Sequence, residues 1–345
     1  MDPLSQAVVG AAAGGCVAVL ARRPQYLRAG LLVGAIGGLV PDLDIVLRSD
    51  SDPLMGLRLH RHFTHALLLA PLVGAVAAVL GWLALWLWGR VVPGWRWLWL
   101  LASVGVATHG PLDSMTNYGT HLFWPLTDRR ENWNIISIID PVFTLTLLTL
   151  VLVAAVRQSR RVVVLASLFA LLYFVLGVAQ HIRAVAATQD LAHSRGHTPE
   201  RILVNPTLGN LLAWRLMYEH QGSLYSDGAH LGLARRIYEG TSAPLYRLPE
   251  GLLPPDSLQA RDAAYFRFFA ADWLVRDERT PEIALRDARF AALPTEIGGF
   301  WGIVIDPAKP DTHVRRVSFG GRDPAQWPVL KAMIFGQDLP VKAQR

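Results

Sequence analysis

Long apolar blocks fill the first half of the chain and give way, from about residue 190, to short runs interrupted every few positions by proline, glycine and charge. Apolar stretches of roughly 18 or more residues have the length an α-helix needs to cross a bilayer. The pattern predicts about six spans, near residues 4–21, 29–40, 65–88, 95–113, 142–156 and 162–179. The first is rich in Gly and Ala, which suits close helix–helix packing better than lipid contact. The second runs directly into Pro41-Asp42-Leu43-Asp44, where the proline biases Val40 away from helical geometry. Thr64 is the expected N-cap of the third span and places His65 in its first turn. Trp95, Trp97 and Trp99 open the fourth and fit an interfacial aromatic belt.

The second half carries weaker signals. Residues 211–225 predict a hairpin turning at His220-Gln221-Gly222-Ser223, residues 300–306 a strand, and residues 255–275 a helix. The predicted fold class is an α-helical polytopic membrane domain of residues 1–182, followed by a small soluble α+β domain of residues 190–345. There is no internal repeat.

Composition sharpens this picture. The 33 Lys+Arg outnumber the 27 Asp+Glu, but the basic residues are mostly Arg set singly or in short groups between apolar spans, as membrane topology is marked. That placement argues against a nucleic-acid partner. The single Cys16 excludes an internal disulfide and a multi-Cys metal site. Met1-Asp2-Pro3-Leu4-Ser5-Gln6 lacks the positive segment of a signal peptide, so the first span is expected to be retained.

If six spans alternate across the bilayer, the polar residues sort unevenly between its two sides. Asp2, Asp42, Asp44, His60, His62, His65, His109, Asp113 and Asp140 fall on one side. The connections on the other hold Arg22, Arg23, Arg28, Arg90, Arg96, Arg157, Arg160 and Arg161, with neither acid nor His. Carboxylates and imidazoles are costly at the membrane boundary unless they pair, line a wet cavity or bind an ion. Imidazole nitrogen with carboxylate oxygen and no thiolate is the donor mixture of catalytic zinc and of some manganese or iron sites.

Spacing adds detail. His109 and Asp113, four apart, share one helix face about a turn apart, with Pro111 between them predicting a kink. Asp42 and Asp44, two apart, align in an extended segment and not in a helix. Each element has a bland alternative: a helix-ending turn for Asp42-Leu43-Asp44, an interfacial anchor for the Arg/His cluster, a helix cap for Asp140. His62 is the expected bystander. His181, His193, His197, His220, His230 and His313 are scattered and read as ordinary surface residues. The conjunction of several weak signals on one side favours a metal site.

Taken in order, Met1-Asp2-Pro3-Leu4-Ser5-Gln6, Gly38-Leu39-Val40-Pro41-Asp42-Leu43-Asp44, His60-Arg61-His62-Phe63-Thr64-His65, His109-Gly110-Pro111-Leu112-Asp113, Tyr118-Gly119-Thr120 and Asp140-Pro141 resemble the family of predicted membrane-bound metal-dependent hydrolases. That family is also described as LexA-binding, inner-membrane-associated hydrolases. The resemblance implies a metal held by Asp42, Asp44, His60, His65, His109 and Asp113. The chain departs from the family at Gln6, where His is frequent, at His62, where Gly is usual, and near Pro111, where an apolar residue is usual. A more distant similarity to zinc-dependent phospholipase C suggests phosphoester chemistry.

The expected activity is hydrolysis of an ester or phosphoester by metal-activated water. Zn2+ is the expected ion, with Mn2+ or Fe2+ as alternatives and room for two ions. Asp42 or Asp113, whichever is left unligated, is the candidate general base, and Arg61 is the candidate clamp for a phosphate or carboxylate. The partners implied are the lipid bilayer and a lipid or lipid-linked substrate, and the location is a bacterial inner membrane. The Arg bias places the site and the C-terminal domain outside the cytoplasm. The rival reading is a non-catalytic scaffold, or a transporter, with a structural or transported metal. A transporter would more often place its polar residues near the bilayer midplane.

Overall fold

The computed structural model describes residues 1–320 and 323–340. The chain divides into two compact units: Met1–Leu47, Arg58–Val178 and Leu208–Asn210 in the first, Arg48–Leu57, Ala179–Thr207 and Leu211–Arg345 in the second.

The first unit is helical. Its elements are α1 (Pro3–Leu20), α2 (Leu27–Leu39), α4 (Ala70–Leu87), α5 (Trp95–Ser114), α6 (Pro141–Arg157) and the start of α7 (Arg160–Ser194), with the short α3 (Met55–Leu59) at the boundary. Among the described residues, four stretches are long and apolar enough to cross a membrane: Pro3–Leu20, Pro24–Val46, Leu67–Leu87 and Arg160–Ser194. The expected fourth and fifth spans fall on α5 and α6. Helix α6 is apolar but shorter, and α5 carries Arg96, His109, Pro111 and Asp113 along its length. By length and apolar content, four of the six expected spans qualify among the described residues.

Backbone contact between small residues draws α1, α2 and α5 together. A Cβ placed on Gly34 of α2 would lie 2.3 Å from the Gly10 carbonyl of α1, and one on Gly105 of α5 would lie 2.3 Å from the Gly34 carbonyl. Asp2 caps α1 by accepting from the Ser5 amide, and the buried Asp140 caps α6 by accepting from the Phe143 amide. Asp140 also accepts from the Tyr173 hydroxyl at 2.6 Å. Its role in this geometry is the helix start.

Two local expectations are corrected. Val40 keeps helical angles (φ −58°, ψ −38°), and the chain continues from α2 through a 3₁₀ segment, Val40–Val46, with Pro41 in its first turn. Proline's fixed φ suits a helix start, so the predicted break becomes a change of helix type. Thr64 caps nothing. His65 sits in a 3₁₀ turn, Phe63–His65, followed by the extended Ala66, and α4 begins only at Ala70.

The second unit contains two four-stranded antiparallel sheets in sequential order. The first is β1 (Arg201–Pro206), β2 (Ala213–His220), β3 (Ser223–Leu231) and β4 (Arg235–Pro244). Its β2–β3 hairpin turns at Gln221 and Gly222, both with positive φ, as a two-residue connection requires. Ala184 and Ala187 of α7 pack against Trp214, Leu216 and Ala229 of this sheet. Helix α8 (Leu258–Phe269) occupies the middle of the expected helical stretch. Then follow β5 (Leu274–Arg276), β6 (Ile283–Asp287), β7 (Trp301–Ile305), β8 (Arg315–Ser318) and α9 (Trp327–Ile334). Trp273, Leu274 and Val275, read as helical in the sequence, lead into and form β5, because Leu274 and Val275 pair with Asp287 and Arg286 of β6.

Candidate metal centre

Four side chains of the first unit converge at one end of its helices. The 3₁₀ segment after α2 supplies Asp42, the turn before α4 supplies His65, and the last turn of α5 supplies His109 and Asp113. His65 Nε2 lies 3.0 Å from His109 Nε2, 3.4 Å from Asp42 Oδ1 and 3.3 Å from Asp113 Oδ2. His109 Nε2 lies 3.4 Å from Asp42 Oδ1 and 3.7 Å from Asp113 Oδ2. Donors arranged tetrahedrally around zinc at its usual bond lengths stand about 3.3 Å apart.

Hydrogen-bond accounting fixes what these atoms present to one another. His109 Nδ1 faces the Gly38 carbonyl at 2.6 Å, which only accepts, so Nδ1 carries the proton and Nε2 is left with a lone pair. His65 Nδ1 faces the Thr64 hydroxyl at 3.0 Å and Asp44 Oδ2 at 3.2 Å. The Thr64 hydroxyl donates to Asp44 Oδ2 at 2.7 Å, so it accepts from His65, and the same tautomer follows. Four lone pairs therefore point at one another. Asp113 Oδ2, fully buried, makes no hydrogen bond of good geometry and has the Arg61 guanidinium 3.0 Å away as its ion-pair partner. A positive charge between these atoms resolves the arrangement. Arg61 brings one such charge to the edge of the group, with Nε 3.0 Å from Asp113 Oδ2. A divalent cation fits between the four, and the His₂Asp₂ donor set is one that zinc, manganese and iron accept.

Asp44 and His60 stand one layer behind. In a 3₁₀ segment, with three residues per turn, positions two apart diverge, so Asp42 and Asp44 do not align as an extended segment would have aligned them. Asp44 Oδ1 pairs with His60 Nδ1 at 2.7 Å, and Oδ2 also accepts from the Arg61 amide at 3.2 Å. With its oxygens occupied, Asp44 orients His65 in the manner of an outer-shell carboxylate. Of the six predicted ligands, Asp42, His65, His109 and Asp113 converge in one group, and Asp44 and His60 form a second group of metal-ligand types with His65.

Asp113 is held by several groups at once. Its Oδ1 accepts from Gln6 Nε2 at 2.9 Å and from the Met1 amine. Arg61, buried and in left-handed backbone geometry (φ +64°), brings Nε within 3.0 Å of Asp113 Oδ2. Its Nη1 donates to Thr116 at 3.1 Å and its guanidinium lies over the Tyr118 ring at 4.6 Å. Gly110 makes room for the turn that carries His65, since a Cβ there would lie 2.1 Å from the His65 carbonyl.

Sequence reasoning passed over Thr64, the Gly38 carbonyl and Gly110 as parts of this centre. No residue type announces such a role; the motif spacing around them was the available signal. It also passed over His121, whose ring lies 4.6 Å from that of His62, and which forms with His62 and Asp128 another group of metal-ligand types. Burial and the nearby Arg130 hold the His121 pKa down to about 3. His313, read as a surface histidine, lies 2.8 Å from the buried Asp262 and groups with it and Asp52. His197 stacks on His220 with ring centroids 4.4 Å apart, and neither it nor His193 is in a metal-ligand group among the described residues.

The sequence model of the YdjM inner membrane protein family matches residues 1–184, more than half of the chain and the whole of the centre. No curated protein and no solved structure matches. With its apolar helices and this match over the residues that build the site, the chain belongs to the YdjM inner membrane protein family.

Proposed function

We propose that this chain is a membrane-bound, metal-dependent hydrolase of an ester or phosphoester, with a membrane lipid or lipid-linked molecule as substrate. The observation that carries the reading is the convergence of Asp42, His65, His109 and Asp113 within 4.8 Å of one another, with lone pairs facing inward and Asp44 and His60 behind. These four residues would hold a divalent ion, which when bound would supply Lewis acidity toward the substrate oxygen and lower the pKa of water toward neutrality. Asp42, whose side chain is 25% exposed while those of His65, His109 and Asp113 are fully buried, is the residue on the solvent side. With Oδ1 turned toward His65 and His109, its other carboxylate oxygen would take the proton of the attacking water. Asp113 is unsuited to that task, because Gln6, Arg61 and the Met1 amine fix it. Arg61 balances the negative charge at Asp113 and orients that carboxylate.

Lipid access is supported by position. Leu43, Ile45 and Val46, interleaved with Asp42 and Asp44, are exposed, so apolar side chains flank the two carboxylates along the chain. The reading places six helices across the inner membrane, with the centre and the second unit outside the cytoplasm. Support comes from the opposite end of the first unit, where Arg28 donates to the Ala155 carbonyl at 3.1 Å and Arg23 lies over Trp97. This end gathers the Arg residues that mark cytoplasmic loops.

One observation favours a second reading, a scaffold with a structural ion: the group offers four protein donors, the number that structural zinc sites use. The two readings separate in a turnover assay. Metal-loaded protein is offered a panel of phospholipids and lipid-linked phosphates, beside chelated protein and the His109→Ala variant. Hydrolysis by the loaded protein that falls to background in the other two is expected. No turnover of any member by the loaded protein supports the scaffold.

A further inference from the structure

Helix α7 supplies a ruler for the second unit. Its 35 residues extend about 52 Å at 1.5 Å per residue, well beyond the roughly 30 Å of a hydrocarbon core. Residues 162–179 contain no charged side chain, and Gln180, His181 and Arg183 follow directly. The apolar part is therefore used up at Gln180. At that depth the helix grips two strand ends. Gln180 Nε2 donates to the carbonyls of Leu211 and Leu231 at 2.8 and 2.9 Å. Arg183 donates to the carbonyls of Leu231 and Gly232 at 3.0 and 2.6 Å. The segments at 211–213 and 231–236 are thus pinned level with the end of the apolar stretch.

The side chains carried there are those of a membrane interface. Leu233 is fully exposed, and Ile182 and Leu212 are exposed beside it. The basic residue Arg183 lies among them; Arg235 pairs with Asp190 at 2.6 Å, and Arg236 pairs with Asp338 and donates to the carbonyl of Gly336, next to the exposed Phe335. Apolar tips set among arginines match a headgroup layer, where the tips enter the acyl boundary and the guanidinium groups stay with the phosphates.

We infer that this edge of the second unit is a lipid-binding surface: Leu212 and Leu233 are seated in the headgroup layer of the membrane that α7 crosses, with Arg183 at the level of the phosphates. The inference extends beyond the hydrolase reading and does not depend on it, since it needs no metal and no reaction.

The test uses the full chain in phosphatidylcholine/phosphatidylglycerol nanodiscs, in a Cys16→Ser background. A polarity-sensitive fluorophore is attached at Leu233→Cys, at Leu212→Cys and, as a control on an exposed residue of the same unit, at Glu278→Cys. Because the Leu233 side chain contacts nothing in the fold, its replacement leaves packing intact, and Leu212→Cys provides an independent second reporter. The expected result is blue-shifted emission at positions 233 and 212, with several-fold stronger quenching by lipids spin-labelled near the headgroup than at position 278. Equal emission and equal quenching at the three positions overturn the inference.

Discussion

At the scale of residues, the centre is a set of imidazoles and carboxylates whose proton positions are dictated by their outer partners. His65 performs two tasks with one ring: Nε2 joins the converging set, while Nδ1 is held by Asp44 and Thr64. Outer partners of this kind orient a ligand and raise its basicity, and their loss costs about 10- to 100-fold in metal affinity. Asp44→Asn and His60→Ala are accordingly expected to weaken binding of a divalent ion by that order while retaining it. His65→Ala is expected to abolish it. Competition titration against a chelating dye checks both, and an Asp44→Asn protein that lost the ion as completely as His65→Ala would make Asp44 a ligand. The residue types were legible in the sequence, and so was their gathering at one end of the helices. Which two of the six stood behind was not, because it depends on helix type. Asp42 and Asp44 separate only because the segment after α2 is 3₁₀, and nothing in Pro41-Asp42-Leu43-Asp44 distinguishes that from an extended turn.

At the scale of elements, precision at the centre depends on helices packed backbone to backbone. Gly34 touches α1 on one side and α5 on the other, and its carbonyl lies where a Cβ on Gly10 or Gly105 would be. Overfilling a packed site typically costs about 1–3 kcal/mol, and here backbone, which yields less than a side chain, would have to move. Gly34→Leu is expected to lower the melting temperature of the detergent-solubilised protein and its metal content together. Gly56→Ala, where an added Cβ meets only Arg48 Cγ at 3.7 Å, is the neutral comparison. Equal melting of the two variants would contradict the packing account. The Gly and Ala content of the first block made close packing legible beforehand. The start of α4 was less so, since the apolar run Ala66 to Leu69 reads as helix although Ala66 is extended and breaks it. In the second unit the β2–β3 hairpin and β7 showed themselves through turn residues and apolar runs. The exposed β4 and the short β8 have mixed patterns that only pairing with neighbours resolves.

At the scale of the whole molecule, the account joins an inner-membrane helical unit, matched by the family over residues 1–184, to a second unit with two antiparallel sheets. Sidedness follows from the Arg-rich connections, which are expected in the cytoplasm. A reporter fused after Arg345 that is active only outside the cytoplasm is the expected outcome, and one active only inside would reverse the orientation or change the number of crossings. The central claim is that Asp42, His65, His109 and Asp113 hold a divalent cation, and elemental analysis of the purified protein tests it most directly. The account predicts bound divalent metal, zinc first, in wild type and its loss from the His65→Ala/Asp113→Ala double variant. Metal-free wild type, or metal content unchanged in the double variant, would contradict it.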